Sequence, residues 1–313
     1  METQDELKGF YCIVDLHAMT SPWKPADLRA KTLDKAAELL ACGIDPDRSV
    51  LFVQSDVPEH TELAWILTCI ARMGELRRMV QFKERSKGEA ESVGVGVFSY
   101  PVLQAADVLL YRAHGVPVGE DQRQHVELMR DLAIRFNSTF GDTFVVPKPW
   151  IRKEGARIMA LDDPTQKMSK SEMDVRPLSG IFLIDDPDTI GKKLRVAVTD
   201  SGREVKAAPD KPALANLLDI YSLVTGEPVE ELEERFAGSG YGDFKAQMAE
   251  AVADALAPIR TRYEELSRDS GELSALLAGG AEKATSIAEA TMADVRARTG
   301  LGPRPGRRAP VGA

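Results

Sequence analysis

The sequence predicts an α/β protein in which a doubly wound parallel sheet precedes an α-helical second half. Two short β-rich runs, at residues 9–15 and 49–54, flank an amphipathic stretch at residues 25–42, which ends at Gly43 as a helix would. A helix between two strands indicates a β-α-β unit. Because such a crossover joins parallel strands, these runs predict the start of a parallel sheet.

The alternation of strands and helices continues along the first half. A second helix is predicted to begin with Asp56 as its N-cap and Pro58 in its first turn. Val116 to Gly119 (VPVG) is typical of a strand end, and residues 120–137 carry apolar side chains at helical spacing.

After about residue 178 the strand-like runs stop and long helical patterns follow, at residues 188–196, 213–224, 229–237, 244–266 and 271–297. We therefore predict an α/β domain over residues 1–178 and a helical domain over residues 179–302. Residues 303–313 are rich in Pro, Gly and Arg without apolar periodicity, which predicts a disordered tail.

Composition limits the classes of function. A net charge of -9 and a pI near 5.2 exclude nucleic-acid binding through uniform basic charge but allow a local basic patch. The clearest candidates are Lys192, Lys193 and Arg195, followed by Arg29 and Lys31, and the alternative is an ordinary solvated helix face.

Targeting and metal-binding patterns are missing from the sequence. No run approaches the roughly 18 apolar residues that a membrane span requires, and residues 1–8 lack the order of a signal peptide, so we expect a cytoplasmic protein. Cys12, Cys42 and Cys69 form no CxxC pair, and the histidines show no ligand spacing. We therefore expect reduced thiols and no zinc site, with any metal arriving on a nucleotide.

The sharpest motif is the pentapeptide Lys167-Met168-Ser169-Lys170-Ser171. Its lysines and serine hydroxyls can fold over a triphosphate, where their charge and hydrogen bonds grow in value as pyrophosphate leaves. The alternative is an exposed polar loop without such a role.

This motif resembles the KMSKS loop of class I aminoacyl-tRNA synthetases, and other segments narrow the family to the tryptophanyl-tRNA synthetases. The similar segments follow that family's order: residues 15–20 (DLHAMT), 52–57 (FVQSDV), 100–110 (YPVLQAADVLL), 116–125 (VPVGEDQRQH) and 155–161 (GARIMAL). The resemblance extends to about Gly302. It implies a Rossmann-like catalytic domain, a helical anticodon-binding domain, a homodimer, and a ligase that joins L-tryptophan to tRNA(Trp) with ATP and its Mg²⁺.

A tryptophan site requires one acceptor inside an apolar enclosure, because indole has one N–H donor and no acceptor. Asp107 follows two alanines on a Leu- and Val-rich segment, and the resemblance assigns it this role; the alternative is an ordinary helix N-cap. By resemblance, Gln122 contacts the amino acid and His17 and Tyr100 line its site. Gln104 departs from the methionine common in the family, which makes that lining less apolar.

For ATP, a glycine at a strand end before a helix lets a ligand approach backbone N–H groups closely. By resemblance, ATP is contacted by the KMSKS residues and by Gly119, Glu120, Asp121 and the backbone of Ile158. Arg85 stands where the family usually has a lysine near the phosphates, so charge is kept but the geometry changes. Lys167, Ser169 and Lys170 are the predicted catalytic residues, and none must act as a nucleophile.

Two rival functions remain open at this point. Tyrosyl-tRNA synthetases share the fold and the loop, but a phenol both donates and accepts, and the residues around Asp107 and Gln122 resemble the tryptophan version. The second rival is a truncated, non-catalytic paralogue that binds tryptophan or RNA.

The second rival depends on the amino-terminal segment. The family's HxGN-type motif, a relative of HIGH, has no match here, and residues 1–7 resemble the middle of the family's first helix. We hypothesise that a GTG valine codon was read as the initiator, so that roughly two dozen codons with a strand, a Gly-rich turn and an HxGN-like motif lie upstream in frame.

Overall fold

The computed structural model describes residues 4, 6–85, 93–151 and 157–302, without the side chains of residues 81, 84, 85 and 171. The predicted tail at residues 303–313 lies outside these ranges. The strands are β1 (Phe10–Ile13), β2 (Val50–Val53), β3 (Gly115–Pro117) and β4 (Lys148–Trp150).

A helix lies close to each predicted position. The sequence did not predict the helices at Asp15–Ala18, Met73–Arg77, Val80–Arg85, Val95–Leu109 and Lys170–Val175. In chain order the helices are α1 (Asp15–Ala18), α2 (Pro25–Ala41), α3 (Glu59–Ile70), α4 (Met73–Arg77), α5 (Val80–Arg85), α6 (Val95–Leu109), α7 (Arg123–Phe140), α8 (Lys170–Val175), α9 (Pro187–Val196), α10 (Pro212–Thr225), α11 (Val229–Arg235), α12 (Tyr241–Arg268) and α13 (Ser270–Thr299). Short 3-10 turns at Gln54–Asp56 and Glu120–Gln122 precede α3 and α7.

The strands pair in parallel, as the sequence predicts for an α/β fold. Phe10 of β1 lies opposite Val50 of β2, and Gly115 of β3 lies opposite Lys148 of β4. All four residues of β2 are buried, which explains its continuous apolar run. Helix α2 connects β1 to β2 and is followed by Gly43 at a φ of +97°, the left-handed conformation that ends helices.

The prediction of Asp56 as a helix N-cap is wrong. Asp56 lies in the 3-10 turn after β2, and α3 begins at Glu59 with Pro58 in the N-cap position. The amide of Val57 donates to the carbonyl of Gln54 at 3.1 Å, so the chain first turns back on itself and the helix starts later.

The chain divides into two compact units whose limits differ from those predicted. The first unit runs to residue 153 and takes up the chain again from residue 269, whereas the second comprises residues 154–268. The last helix therefore belongs with the sheets. Its pattern in the sequence predicts a helix but does not identify its partner, which is the buried face formed by β2, α2 and α3.

Helix α13 packs directly on β2 because its contact face carries small residues. A Cβ atom on Gly280 would lie 1.8 Å from the carbonyl oxygen of Leu51. Further along the same face, the Arg296 guanidinium donates to both carboxylate oxygens of Glu62 on α3, at 2.7 and 2.6 Å. Such a bidentate pair fixes the register of α13 on the unit.

We expect Gly280→Ala to destabilise the first unit by about 1–3 kcal/mol, because the added methyl group forces α13 away from β2. Gly279→Ala is the matched control, since nothing lies within 4 Å of a Cβ there. That change should stabilise by up to about 1 kcal/mol through helix propensity. Urea unfolding of both variants measures the difference, and equal midpoints would contradict the close approach.

The second unit is helical around an aromatic core. The ring of Phe236, the residue that follows α11, makes a T-shaped contact at 5.2 Å with the ring of Phe244 in α12. Lys193, predicted to belong to a basic patch, is instead buried: its ammonium group bonds Asp185 at 2.6 Å and lies 5.0 Å from the ring centre of Phe182. Of that predicted cluster, Lys192 and Arg195 are exposed.

Candidate functional site

Two parallel strands end side by side in the first unit, and a carboxylate joins the loops that follow them. Asp15 follows β1 and Ser55 follows β2. The Asp15 carboxylate accepts from the backbone amide of Ser55 at 3.0 Å and from the Ser55 hydroxyl at 2.5 Å. This link holds α1, which carries His17, against the 3-10 turn, which carries Gln54. Ligand sites in α/β proteins form at this end of the strands.

Asp107 lies in the last turn of α6 with its side chain only 10 % exposed. The helix N-cap alternative for this residue is therefore wrong. Its Oδ1 accepts from Nε2 of Gln54 at 2.7 Å and contacts Nδ1 of His60 at 2.6 Å, and its Oδ2 contacts Nε2 of His17 at 2.8 Å. All three of these contacts to the carboxylate thus come from side-chain nitrogen atoms.

The partners of Asp107 keep it ionised. Burial by itself raises the pKa of the Asp107 carboxyl, but the hydrogen bonds from His17 and His60 outweigh burial and lower the pKa below its usual value. A buried carboxylate that stays charged is a strong acceptor for an N–H group.

A cavity of about 330 Å³ opens beside this carboxylate, entirely within the first unit. All of the residues predicted to bind tryptophan line it, together with Val14, Thr20 and His125; the predicted ones are His17, Tyr100, Gln104, Asp107 and Gln122. The volume falls within the range of small-molecule sites. Gln104 makes the wall partly polar at the position where it departs from methionine.

His125 is a lining residue that the sequence reasoning did not assign. Its Nε2 lies 2.9 Å from the hydroxyl of Tyr100, and it is 1 % exposed. Burial lowers the pKa of this imidazole, which favours the neutral form. His125 ends the quoted VPVGEDQRQH segment, so the motif contained the residue, but one lone histidine on a helix gave no chemical signal.

The predicted ATP residues of the first unit form the entry to α7. Gly119 precedes the 3-10 turn and its carbonyl accepts from the amide of Gln122 at 3.0 Å; a Cβ on Gly119 would lie 2.6 Å from Oδ1 of Asp121. Glu120 forms an ion pair with Arg123 at 2.6 Å. Asp121 accepts from Nε2 of Gln122 at 3.0 Å, and both carboxylates are exposed.

The predicted KMSKS loop belongs to a hairpin in the second unit. The amide of Ala160 donates to the carbonyl of Gln166 at 2.8 Å, and the amide of Met168 donates to the carbonyl of Ile158 at 3.0 Å. Asp163 closes the turn by accepting from the amide of Thr165 at 3.0 Å. The carbonyl of Ile158 is therefore engaged within the hairpin.

The loop's side chains divide into anchors and exposed cations. Met168 packs against the core of the unit, and Ser169 is the N-cap of α8, accepting from the amide of Glu172 at 3.4 Å. Lys167 and Lys170 are exposed, and neither ammonium group makes a hydrogen bond or ion pair with the residues that the structure describes. Both ammonium groups are thus available to an anionic ligand.

Two predicted ATP residues cannot be placed by their side chains. Arg85 ends α5 and Ser171 lies in α8, but the side chains of both lie outside the described part of the structure. Within the described ranges, no group of three His, Cys, Asp or Glu side chains could hold a metal ion. No described helix is long and apolar enough to cross a membrane.

Comparison with known proteins connects this geometry to a family. Residues 1–257 match the family described as tRNA synthetases class I (W and Y). The tryptophan–tRNA ligase of Caldanaerobacter subterraneus subsp. tengcongensis is 52 % identical over 299 residues, covering 95 % of this chain and 90 % of that protein. The tryptophan–tRNA ligase of Mycobacterium leprae is 53 % identical over 304 residues, covering 96 % and 88 %.

A solved structure is similar over nearly the same length. The tryptophanyl-tRNA synthetase of Campylobacter jejuni, complexed with ADP and tryptophan, superposes with a TM-score of 0.85 at 36 % sequence identity. The similarity covers 96 % of this chain and 92 % of that one.

Proposed function

We propose that this chain, which belongs to the tryptophanyl-tRNA synthetase family of class I aminoacyl-tRNA synthetases, joins L-tryptophan to tRNA(Trp) at the expense of ATP. One observation carries the proposal: an ionised, buried acceptor, Asp107, lines a small cavity together with the other residues predicted to bind tryptophan. An indole N–H matches that acceptor, and a chain with this site has a reason to select tryptophan.

The proposed reaction has two steps. The carboxylate of tryptophan attacks the α-phosphate of ATP, which gives tryptophanyl-adenylate and pyrophosphate. A hydroxyl at the 3′ end of the tRNA then attacks the activated carbonyl, and AMP leaves. Neither step needs a protein nucleophile, so the protein contributes by orienting the reactants and stabilising the charge that develops.

In the tryptophan site, Asp107 is proposed to accept from the indole nitrogen, Gln122 to contact the amino acid, and Tyr100 to line the cavity. His17 and Gln104 would complete the wall. A tyrosine-selecting site would need a donor as well as an acceptor for the phenol. Since Asp107 is held ionised, it offers only acceptors.

For ATP, we assign the exposed cations Lys167 and Lys170 to the phosphates, with Ser169 and Ser171 as hydroxyl donors and Met168 as the anchor of the loop. Gly119, Glu120 and Asp121, the backbone of Ile158, and Arg85 are the other proposed contacts. ATP enters as its Mg²⁺ complex, so the metal is part of the substrate.

The test of this function is ATP–pyrophosphate exchange that depends on tryptophan. Exchange with tryptophan but not with tyrosine supports the proposal, and exchange with tyrosine would identify the tyrosine-specific rival. If tryptophan binds and no exchange occurs, the chain is a binding protein and the proposed activity is wrong.

The helical unit is the proposed site of tRNA recognition. A groove of about 1210 Å³ runs along α9 and α12 and is lined by cations and by acidic residues; the cations are Lys192, Arg195, Lys245 and Arg260. Positive groups in a groove of this size fit a folded RNA backbone. We further propose that the chain acts in the cytoplasm and forms a homodimer. Light scattering of the whole chain measures its oligomeric state.

We expect the double variant Lys192→Ala, Arg195→Ala to weaken aminoacylation while leaving pyrophosphate exchange unchanged, because exchange does not involve tRNA. The slope of log KM for tRNA against log salt should fall by about 2, one for each lost cation. The matched control is Arg203→Ala, Lys206→Ala, which removes the same charges from exposed positions of the same unit outside the groove. An equal effect from both pairs would contradict a tRNA surface on α9.

A further inference from the structure

A buried histidine lies behind the tryptophan-selecting carboxylate, and none of the roles assigned above uses it. His60, on α3, is 0 % exposed. Its Nδ1 contacts Oδ1 of Asp107 at 2.6 Å, and its Nε2 contacts the hydroxyl of Tyr111 at 2.8 Å. The imidazole therefore bridges the carboxylate to a tyrosine in the core of the first unit.

The partners determine which ring nitrogen carries the proton. Asp107 is ionised and can only accept, so Nδ1 of His60 donates to it. In the neutral imidazole, Nε2 is then the accepting nitrogen, and the hydroxyl of Tyr111 donates to it. Burial and the neighbouring Asp107 carboxylate raise the pKa of Tyr111, which keeps that hydroxyl protonated. The hydrogen bond from Tyr111 to His60 and the one from His60 to Asp107 thus both donate in the direction of the Asp107 carboxylate.

Packing fixes the side chains of Tyr111 and His60 in place. The ring of Tyr111 stacks on Phe10 with 4.7 Å between centroids and meets Phe52 edge-on at 5.6 Å. The imidazole of His60 lies 5.8 Å from the same Phe52 ring. Neither side chain can turn without opening the core, so the donor at Nδ1 has one direction.

The acceptor sites of Asp107 are then almost filled. A carboxylate offers about four lone-pair positions. Two donors, His60 and Gln54, occupy Oδ1, and one, His17, occupies Oδ2. One position remains on Oδ2, the oxygen that faces His17, and His17 and Asp107 both line the cavity.

We propose that His60 and Tyr111 are positioning residues for tryptophan selection. They fill one acceptor position of the Asp107 carboxylate and fix its orientation, so that the remaining acceptor position meets the indole N–H. This inference rests on the proposed function. It assigns part of the selectivity for an N–H donor to two core side chains, His60 and Tyr111, that do not touch the ligand.

The test compares tryptophan with its benzothiophene isostere, in which sulfur replaces the indole nitrogen and no N–H is present. Wild-type protein should prefer tryptophan in ATP–pyrophosphate exchange. Tyr111→Phe keeps the ring and loses the donor to His60, and His60→Leu loses the donor to Asp107. We expect the preference to fall by about tenfold in His60→Leu and by less in Tyr111→Phe, with the KM for ATP unchanged.

Rescue separates positioning from simple destabilisation. In His60→Asn, the side-chain amide nitrogen takes the place of Nδ1, so this variant should recover most of the preference that His60→Leu loses. His114→Asn is the matched control, because His114 is exposed. Thermal unfolding identifies variants that fail to fold, and Tyr111→Phe, the smallest change, then decides.

The outcomes distinguish this inference from the proposed function. If wild-type protein shows no exchange with either compound, the proposed function fails. If wild-type protein prefers tryptophan and folded His60→Leu and Tyr111→Phe keep that preference in full, the positioning role is wrong while the proposed function stands.

Discussion

Replacing Asp107 by asparagine is expected to lower tryptophan activation by about one to two powers of ten while ATP binding changes little. Asparagine keeps the size of the side chain but turns one acceptor oxygen into an NH₂ donor. That group must face either the donors at His60 and Gln54 or the donors at His17 and the indole. A buried donor left without an acceptor costs roughly 1–3 kcal/mol, which gives the expected loss.

The measurement is tryptophan-dependent ATP–pyrophosphate exchange over a range of tryptophan concentrations, with the KM for ATP determined in parallel. Asp131→Asn removes the same charge from an exposed position on α7 and serves as the control. If Asp107→Asn activates tryptophan as well as the control does, Asp107 is not the indole partner, and another lining residue must provide the selectivity.

The sequence predicted which side chains line the cavity beside Asp107 better than it predicted the residues behind them. His17, Tyr100 and Asp107 lie in segments with family resemblance, and the structure places them around one cavity. His60 and Tyr111 support that cavity from 47 residues before and 4 residues after Asp107. A buried histidine in an apolar helix has no periodicity of its own, so only three-dimensional contacts reveal its partner.

The helices of the second half could be predicted because their signals are local in the sequence. Helices α9 to α13 begin and end near their predicted limits because their apolar spacing and their Pro or Gly boundaries are local signals. The assignment of α13 to the first unit depends on Gly280 meeting the carbonyl of Leu51, a contact between distant parts of the chain. Local patterns carry no information about such partners.

Charge gave the least reliable prediction at the level of single residues. Lys192, Lys193 and Arg195 look equivalent in the sequence, yet Lys193 faces inward on α9 and pairs with Asp185. A helix turns by about 100° per residue, so adjacent lysines point in different directions. The burial of one of them follows from which face of α9 meets α12.

The KMSKS lysines provide the second large effect. We expect Lys167→Ala and Lys170→Ala each to lower the rate of adenylate formation by roughly ten- to a hundredfold, with little change in tryptophan affinity. Both ammonium groups are exposed and lack partners among the described residues, so they are free to follow the charge that develops on departing pyrophosphate. Interactions made mainly in the transition state lower kcat and kcat/KM together when they are removed.

Single-turnover formation of the adenylate measures that rate, and equilibrium binding measures tryptophan affinity separately. Lys206→Ala, which removes an exposed cation from the same unit, is the control for net charge. The anchoring residue Met168 remains unchanged in each variant, so the hairpin and α8 should keep their structure. If the variants raise only the KM for ATP and leave kcat at the control value, the lysines hold ATP in the ground state and do not stabilise the leaving pyrophosphate.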